Sequence, residues 1–365
     1  MKPTVAVALS GGVDSLTAAW LLKEKGYPLI GVHFITGFED DGAGQRLPGR
    51  SPVSAVDTSY RALMPIADRL DIPLKIYDVS RRFRTEVVDY FMAAYRNGQT
   101  PNPCMICNPV IKFGDFLQFA RAQGADRLAT GHYARVLPAA DGRVRLFRGI
   151  DPAKDQSYFL ARISRRQLRR VLFPLGEMVK TDVIALARAE NLTPTTAGES
   201  QDICFIRNSE YGAFMACQPG FAPRPGPIVT IDGKEIGRHP GLHLFTIGQR
   251  RGINCPARAP YYVVRIEPEA NRLVVGPREA LGAAVCGVAD INWIADPLTV
   301  PTPVTVKIRY RHPAVAATLL PRPGRTAQIR FDAPQTAVTP GQGAVFYRGE
   351  EVLGGGWITA GRPAD

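Results

Sequence analysis

The sequence predicts an α/β protein in which an N-terminal parallel-sheet domain is followed by a small β-rich central domain and a C-terminal antiparallel β-barrel. Three observations carry that expectation. Over roughly the first two hundred residues, apolar strand-like runs alternate with amphipathic helical ones, as in a parallel sheet covered by helices. Past a Pro- and Gly-rich stretch, Gln218-Pro219-Gly220 to Pro227, the helical periodicity disappears and short β-like runs follow at close spacing. The first apolar run also empties into Ser10-Gly11-Gly12 ahead of a helix, a junction suited to holding phosphate.

In chain order, Val5 to Leu9 reads as a buried strand and Leu16 to Lys25 as a helix that Gly26 ends. Leu29 to Ile35 is a strand, and Phe38 to Val56, rich in Gly, Pro, Asp and Ser, a mobile surface loop. Helices are expected from Tyr60 to Leu70, Arg84 to Tyr95 and Ile111 to Gln123, and strands from Leu74 to Val79 and Arg127 to Thr130. The later β-like runs begin with Ile228–Ile231 and its Asp232-Gly233 turn. Tyr261–Ile266, Leu273–Val275, Val304–Tyr310, Ala327–Phe331 and Ala344–Tyr347 follow, and antiparallel pairing is expected among them. Boundaries near 205 and 280 give domains 1–205, 206–280 and 281–365.

A chain of 365 residues suggests about two to three domains. Lys and Arg number 45 against 33 Asp and Glu, with 27 against 21 over residues 1–205 and 18 against 12 over 206–365. An evenly spread, Arg-rich positive charge suits a polyanion touching both parts, nucleic acid foremost. Met1-Lys2-Pro3 runs straight into the first strand and no apolar stretch is long enough to cross a bilayer. A cytoplasmic protein without a membrane partner, and by default a monomer, is expected.

Adjacent glycines let successive N–H groups point into one concavity, the following helix adds its positive dipole end, and the Ser10 and Ser15 hydroxyls add donors. No lysine follows the glycines before Lys23, which excludes a Walker A loop, and Gly11-Gly12 does not give the G-x-G-x-x-G spacing. Ser10-Gly11-Gly12-Val13-Asp14-Ser15 instead resembles the PP-loop of the ATP pyrophosphatases, with their adenine nucleotide α hydrolase-like fold. That resemblance implies ATP held for attack at its α-phosphate.

Six cysteines in a chain this long are not a secreted disulfide framework. Cys104 and Cys107 form a C-x-x-C pair in a proline-stiffened loop, and Cys204 stands alone in Ser200-Gln201-Asp202-Ile203-Cys204-Phe205. Zinc would need a fourth ligand, with only Cys204 or Cys217 on offer, and a thioredoxin-type pair would need a different context. Two readings stay open. Cys104, Cys107 and Cys204 could hold three irons of a 4Fe-4S cluster, or Cys107 and Cys204 could act as nucleophile and persulfide carrier closing into a transient disulfide. Cys217, Cys255 and Cys286 read as structural.

The ordered set SGGVDS, TPNPCMICN with IKF, ATGHYAR, KDQSYFL, SQDICFI, TIGQRRG, RYRH, PGQGAVFY and GGG resembles the bacterial tRNA-specific 2-thiouridylases from end to end. The resemblance implies ATP-dependent adenylation of the C2 oxygen of a tRNA wobble uridine, then displacement of AMP by sulfur, with Mg²⁺ assisting. It implies that Cys204 carries the persulfide and Cys107 is its nucleophilic partner. The nucleotide contacts it implies are Ala8, Leu9, Ser10, Gly11, Gly12, Val13, Asp14, Ser15, Phe34 and Gly131. Asn102, Pro103 and Cys104 match the target-base segment, and His132, Lys154, Asp155, Gln156, Arg309, Tyr310 and Gln342 match tRNA contacts. The partners implied are tRNA and a sulfur-donor protein.

Two departures stand out. Cys104 replaces an Asp found in many relatives, which adds a third thiol and raises the cluster reading. Phe34 replaces a common Met and can still pack on adenine. Arg165, Arg166, Arg169 and Arg170 are spaced as one basic helix face for RNA phosphates. The alternatives are a PP-loop adenylating ligase or synthetase acting on a small molecule, and a catalytically inactive tRNA-binding protein.

Overall fold

A computed structural model describes residues 2–39, 52–139, 141–195, 203–206, 210–256 and 258–359. The chain divides into two compact units that interleave in sequence. Met1–Val87, Cys104–Gln201 and Glu350–Leu353 form the first, and Val88–Pro103, Asp202–Gly349 and Gly354–Asp365 the second.

The first unit opens with β1 (Val5–Ala8), α1 (Val13–Glu24), β2 (Leu29–Ile35), α2 (Pro52–Leu70), β3 (Leu74–Asp78) and α3 (Ser80–Phe83). After α4 (Asp89–Arg96), which belongs to the second unit, come α5 (Pro103–Cys107), α6 (Phe116–Ala122), β4 (Arg127–Ala129), β5 (Ala134–Pro138) and β6 (Val144–Arg148). Then follow α7 (Ser157–Leu160), α8 (Arg165–Leu168), β7 (Val171–Leu172) and α9 (Lys180–Ala189). Five parallel strands lie in the order β3-β2-β1-β4-β7. Val5, Val7 and Leu9 are buried with Leu16, Ala19 and Leu22 of α1, as a central parallel strand covered on both faces requires. The winding reverses between β1 and β4, so the carboxyl ends of those two strands flank a crevice of the kind where such sheets bind ligands.

Of the expected loop from Phe38 to Val56, residues 40–51 lie outside the described residues. Its end is already helical, since α2 begins at Pro52, where the fixed φ of proline suits a first helical turn. The two helices expected at 84–95 and 111–123 are each interrupted. Arg84–Val88 and Asn108–Asp115 are π-helical, with α4 and α6 following them. Gly114 shows how the second is accommodated. A Cβ there would come within 2.9 Å of Pro109 O, the carbonyl five residues back that a π turn aims at this position.

The second unit adds α10 (Tyr211–Ala216), β8 (Gly226–Thr230), β9 (Glu235–His239), β10 (Tyr262–Glu267) and β11 (Arg272–Gly276). These strands lie in the order β10-β11-β8-β9, and β8 and β11 run parallel rather than antiparallel. The long connection through 240–261 carries the chain back so that β10 runs in the same direction as β9, and β11, antiparallel to β10, then meets β8 in the same direction. β12 (Gly282–Trp293), β13 (Thr302–Lys307), β14 (Val315–Arg322), β15 (Thr326–Thr336), β16 (Gly343–Arg348) and β17 (Glu351–Ile358) form the barrel, in the order β12-β15-β14-β13-β16-β17. It closes where β17 returns to β12, with Val288 opposite Ile358 and Trp293 opposite Gly354. A Cβ at Gly356 would lie 2.6 Å from Ala289 O, so glycine permits this closure. β13 stops at Lys307, which leaves Arg309 and Tyr310 beyond the strand rather than in it.

Candidate functional site

The β1 carboxyl end turns at Gly11, whose φ is +80°, into Gly12, which caps α1 without a side chain. The first-turn N–H groups of α1 therefore have no side-chain cap and no intrahelical acceptor. The Ser15 hydroxyl donates to Gly12 O (2.9 Å) and accepts from Ser10 N (3.2 Å), and Thr195 N donates to Gly11 O (2.9 Å). His33 Nδ1 lies 2.6 Å from Leu9 O. A carbonyl can only accept, so that nitrogen carries the proton. Burial lowers the His33 pKa, the hydrogen bond to Leu9 opposing, so the ring is a fixed neutral donor.

Asp14, in the first turn of α1, does not stand alone. Lys180 Nζ donates to its Oδ1 and Oδ2 at 2.7 and 2.8 Å, and the Tyr133 hydroxyl donates to Oδ1 at 2.7 Å. The Lys180 side chain is only 9 % exposed, so its charge needs this partner. Lys180 opens α9, and its backbone N–H donates to Asp151 Oδ2 (2.9 Å). Neither Lys180 nor His33 was expected from the sequence. A lone lysine at a helix start has no local signature, and only its pairing with Asp14 reveals it.

The loop after β4 completes this crevice. Gly131 packs so tightly on α1 that a Cβ would lie 2.9 Å from the Asp14 carbonyl carbon. Phe34, half-buried near the end of β2, meets Phe116 edge-on at 4.9 Å. His132 sits between Phe113 and Phe173, each 5.8 Å away, with Nδ1 2.6 Å from Thr130 Oγ1. Burial pushes its pKa well below the imidazole range, and Lys112 acts in the same direction, so the ring is neutral. Asp155 is buried and accepts from Gly149 N, Ser157 N and Ser157 Oγ. Gln156 accepts from Tyr133 N through Oε1 and donates its own N–H to Tyr133 O. Gln156 thus braces Tyr133 just ahead of β5 and Asp155 the turn after β6, while Lys154 is half-buried beside them.

The thiols fall in different surroundings. Cys104 is half-buried, and burial pushes its pKa up, with Lys112 pulling it partly back. Cys107 is buried at the end of α5, where the π-helical stretch begins. Cys204, in the second unit, is exposed on a turn closed by Ile206 N donating to Ile203 O (2.8 Å). The next residue anchors that turn. Phe205 is 1 % exposed and packs against Phe91 of α4 at 5.4 Å and Phe214 of α10 at 5.4 Å. The same helix runs on into Gly98–Pro103, where Asn102 is buried. Within this unit α4 is therefore a common mount for the Cys204 turn and the segment expected to meet the target base.

Among the expected RNA contacts, Arg309 donates to Thr336 O (3.3 Å), and Tyr310 lies 5.5 Å from Lys307 Nζ. Gln342 donates to Thr100 O and Pro101 O. The basic run does not form one helix face. α8 ends at Leu168, and Arg170 reaches Asp126 O. Ser164 and Gln167 close the single turn with a reciprocal cap, and Gln167 bonds Pro109 O, so these two side chains are committed to packing while Arg166, Arg169 and Arg170 stay exposed. Among the described residues, no three His, Cys, Asp or Glu side chains gather as a metal-binding group. Nor, among the described residues, is any helix long and apolar enough to cross a membrane.

Comparison with known proteins adds to this geometry. Residues 3–208 match the tRNA methyl transferase HUP domain, 218–277 the tRNA methyl transferase PRC-barrel domain and 284–358 the aminomethyltransferase beta-barrel domain. The chain is 49 % identical over 360 residues to a tRNA-specific 2-thiouridylase of Desulfosudis oleivorans, covering 98 % of this chain and 96 % of that one. It is 43 % identical to the corresponding Chlorobium luteolum protein, covering 100 % and 98 %. A solved 4-thiouridine synthetase–RNA complex with bound ATP matches at 21 % identity and a TM-score of 0.33, over 55 % of this chain and 44 % of that one.

Proposed function

Because this chain belongs to the tRNA-specific 2-thiouridylase family, we propose a catalytic route in which the crevice between β1 and β4 activates a uridine that the cysteines then thiolate. The enzyme is a tRNA-uridine 2-sulfurtransferase that uses ATP. The observation that carries the route is the crevice itself: uncapped N–H groups at Val13–Ser15, Gly131 pressed on α1, and Lys180 cancelling the Asp14 charge.

The C2 oxygen of uracil is a poor leaving group. Attack by that oxygen on the ATP α-phosphorus releases pyrophosphate and leaves an adenylated uridine. The N–H groups of Gly11 to Ser15 hold the departing charge without reorganising, and Mg²⁺ enters as the counter-ion of ATP. Asp14 would repel phosphates if bare, and Lys180 and Tyr133 remove that obstacle. The terminal sulfur of a Cys204 persulfide then attacks C2 and AMP leaves. The Cys107 thiolate attacks the Cys204 sulfur, which forms the Cys107–Cys204 disulfide and leaves sulfur and its electron pair on C2 as the thiocarbonyl. A dithiol reductant regenerates both thiols, and a persulfide-bearing donor protein reloads Cys204. The exposure of Cys204 on an anchored turn supports its role as the loaded residue. The reaction takes place in the cytoplasm, where such a disulfide is transient.

Mass spectrometry of tRNA nucleosides after incubation with ATP, tRNA, a persulfide-bearing sulfur donor and a dithiol reductant tests the route. 2-Thiouridine from the parent and none from Cys204→Ala supports it, and equal product from both ends the assignment of Cys204. Iron and acid-labile sulfide analysis of anaerobically purified protein is expected to find a colourless, iron-free and active enzyme. Activity that tracks iron content would restore the cluster.

A further inference from the structure

Residues 98–102 lead directly into Cys104 and are held from outside their own helix. Thr100 N donates to Pro340 O at 2.9 Å, and Gln342 Nε2 donates to both Thr100 O (3.0 Å) and Pro101 O (3.1 Å). The Thr100 hydroxyl donates to Thr246 Oγ1 at 3.1 Å. A Cβ on Gly341, whose φ is +87°, would lie 2.9 Å from Thr100 O, so the barrel turn and this segment lie in direct backbone contact. On the other side, Gly98 packs so closely on Pro268 that a Cβ would lie 2.6 Å from its Cγ. The turn at 339–342 is itself rigid, since Gln342 N donates to Thr339 O, Ile358 N to Gln342 O and Gly341 N to Ile358 O.

We propose that Gln342 is a positioning residue, a clamp through which the C-terminal barrel sets the backbone of the target-base segment, with Thr246 of the central domain as a second fixing point. The chemistry favours this use of the side chain. Pro101 and Pro103 remove two N–H donors from the segment, and the N–H groups of Gly98, Gln99, Thr100 and Asn102 are already donated, so the Thr100 and Pro101 carbonyls are what an outside donor can hold. A primary amide supplies two donors in a fixed plane, enough for two adjacent carbonyls. With its amide committed in this way, Gln342 acts on the segment and not on RNA. The inference rests on the thiouridylase reading only for its catalytic readout.

The test compares the full-length parent with Gln342→Met, which keeps length and loses both donors, and with Thr246→Val. Hydrogen–deuterium exchange of peptides covering 98–103, without tRNA, is expected to quicken about tenfold in each variant, with β13 and β14 unchanged. In the thiolation assay kcat should fall about tenfold while tRNA Kd and KM for ATP stay at parental values. Weakened tRNA binding with parental exchange would make Gln342 an RNA contact and overturn the proposal, as would parental behaviour throughout. Should Gln342→Met fail to fold, Thr246→Val carries the same two readouts. An inactive parent would refute the thiouridylase reading, while exchange would still decide the clamp.

Discussion

Lys180 shows how one side chain changes the meaning of a motif. Asp14 belongs to a loop that must bind a polyanion, and a carboxylate there gains from the α1 dipole but opposes phosphate. Lys180 and Tyr133 resolve the conflict by taking both carboxylate oxygens. Lys180→Met is expected to raise KM for ATP about tenfold or more, corresponding to ~1.4 kcal/mol, with tRNA Kd unchanged. Adding Asp14→Asn should recover much of that loss, because the charge to be cancelled is gone. Steady-state kinetics of the two single variants and the double variant checks this, and a double variant no better than Lys180→Met refutes the neutralising role. At this scale the sequence revealed the loop, because Gly11-Gly12 has a backbone reason that composition exposes. It did not reveal Lys180 or Gln342, whose hydrogen bonds cross more than a hundred residues and leave no spacing to read, nor His33 and Asp155, whose partners include backbone groups that carry no residue signature.

Element by element, the strands were legible and the helices less so. Val5–Ala8 and Leu29–Ile35 announce themselves as apolar runs, whereas the π-helical stretch Asn108–Asp115 keeps the apolar content of an α-helix and differs only in hydrogen-bond register. The parallel pairing of β8 with β11 was equally hidden, because alternation fixes which face is buried but not which neighbour a strand takes. Among the helices α4 has the widest influence. Its Phe91 is fully buried against Tyr95, Phe205 and Phe214. Phe91→Ala should cost about 3–5 kcal/mol of stability, read as a lowered urea midpoint. It should also reduce thiolation with KM for ATP unchanged, because the Cys204 turn loses its anchor and the crevice does not. A variant that raised KM for ATP as much as it lowered thiolation would contradict that separation.

For the whole molecule, charge and topology matter most. The excess of 45 Lys and Arg over 33 Asp and Glu predicts RNA binding that weakens with salt. Replacing Arg165, Arg166, Arg169 and Arg170 by Glu should lower tRNA affinity and make the log–log salt dependence shallower by about two to three units, measured by filter binding. An unchanged slope would remove this turn from the RNA-facing surface. The division into units makes a second prediction. A fragment of residues 1–205 keeps Phe91 and Tyr95 but loses Phe214 and Tyr211, against which they pack. It is expected to bind a hydrophobic dye and to unfold without a cooperative transition, and a sharply melting fragment would show that α4 needs no partner from beyond residue 205.

Glu350–Leu353 belong to the first unit, where Glu350 pairs with Arg135 and Glu351 with Arg145, and Glu351 also stands opposite Phe147 of β6. During translation these residues leave the ribosome after every other part of the first unit. The first unit thus waits for residues 202–349 to be made before its β5–β6 hairpin gains these two carboxylates. A product stopped before Glu350 therefore leaves Arg135 and Arg145 of that hairpin without the two carboxylates that complete it.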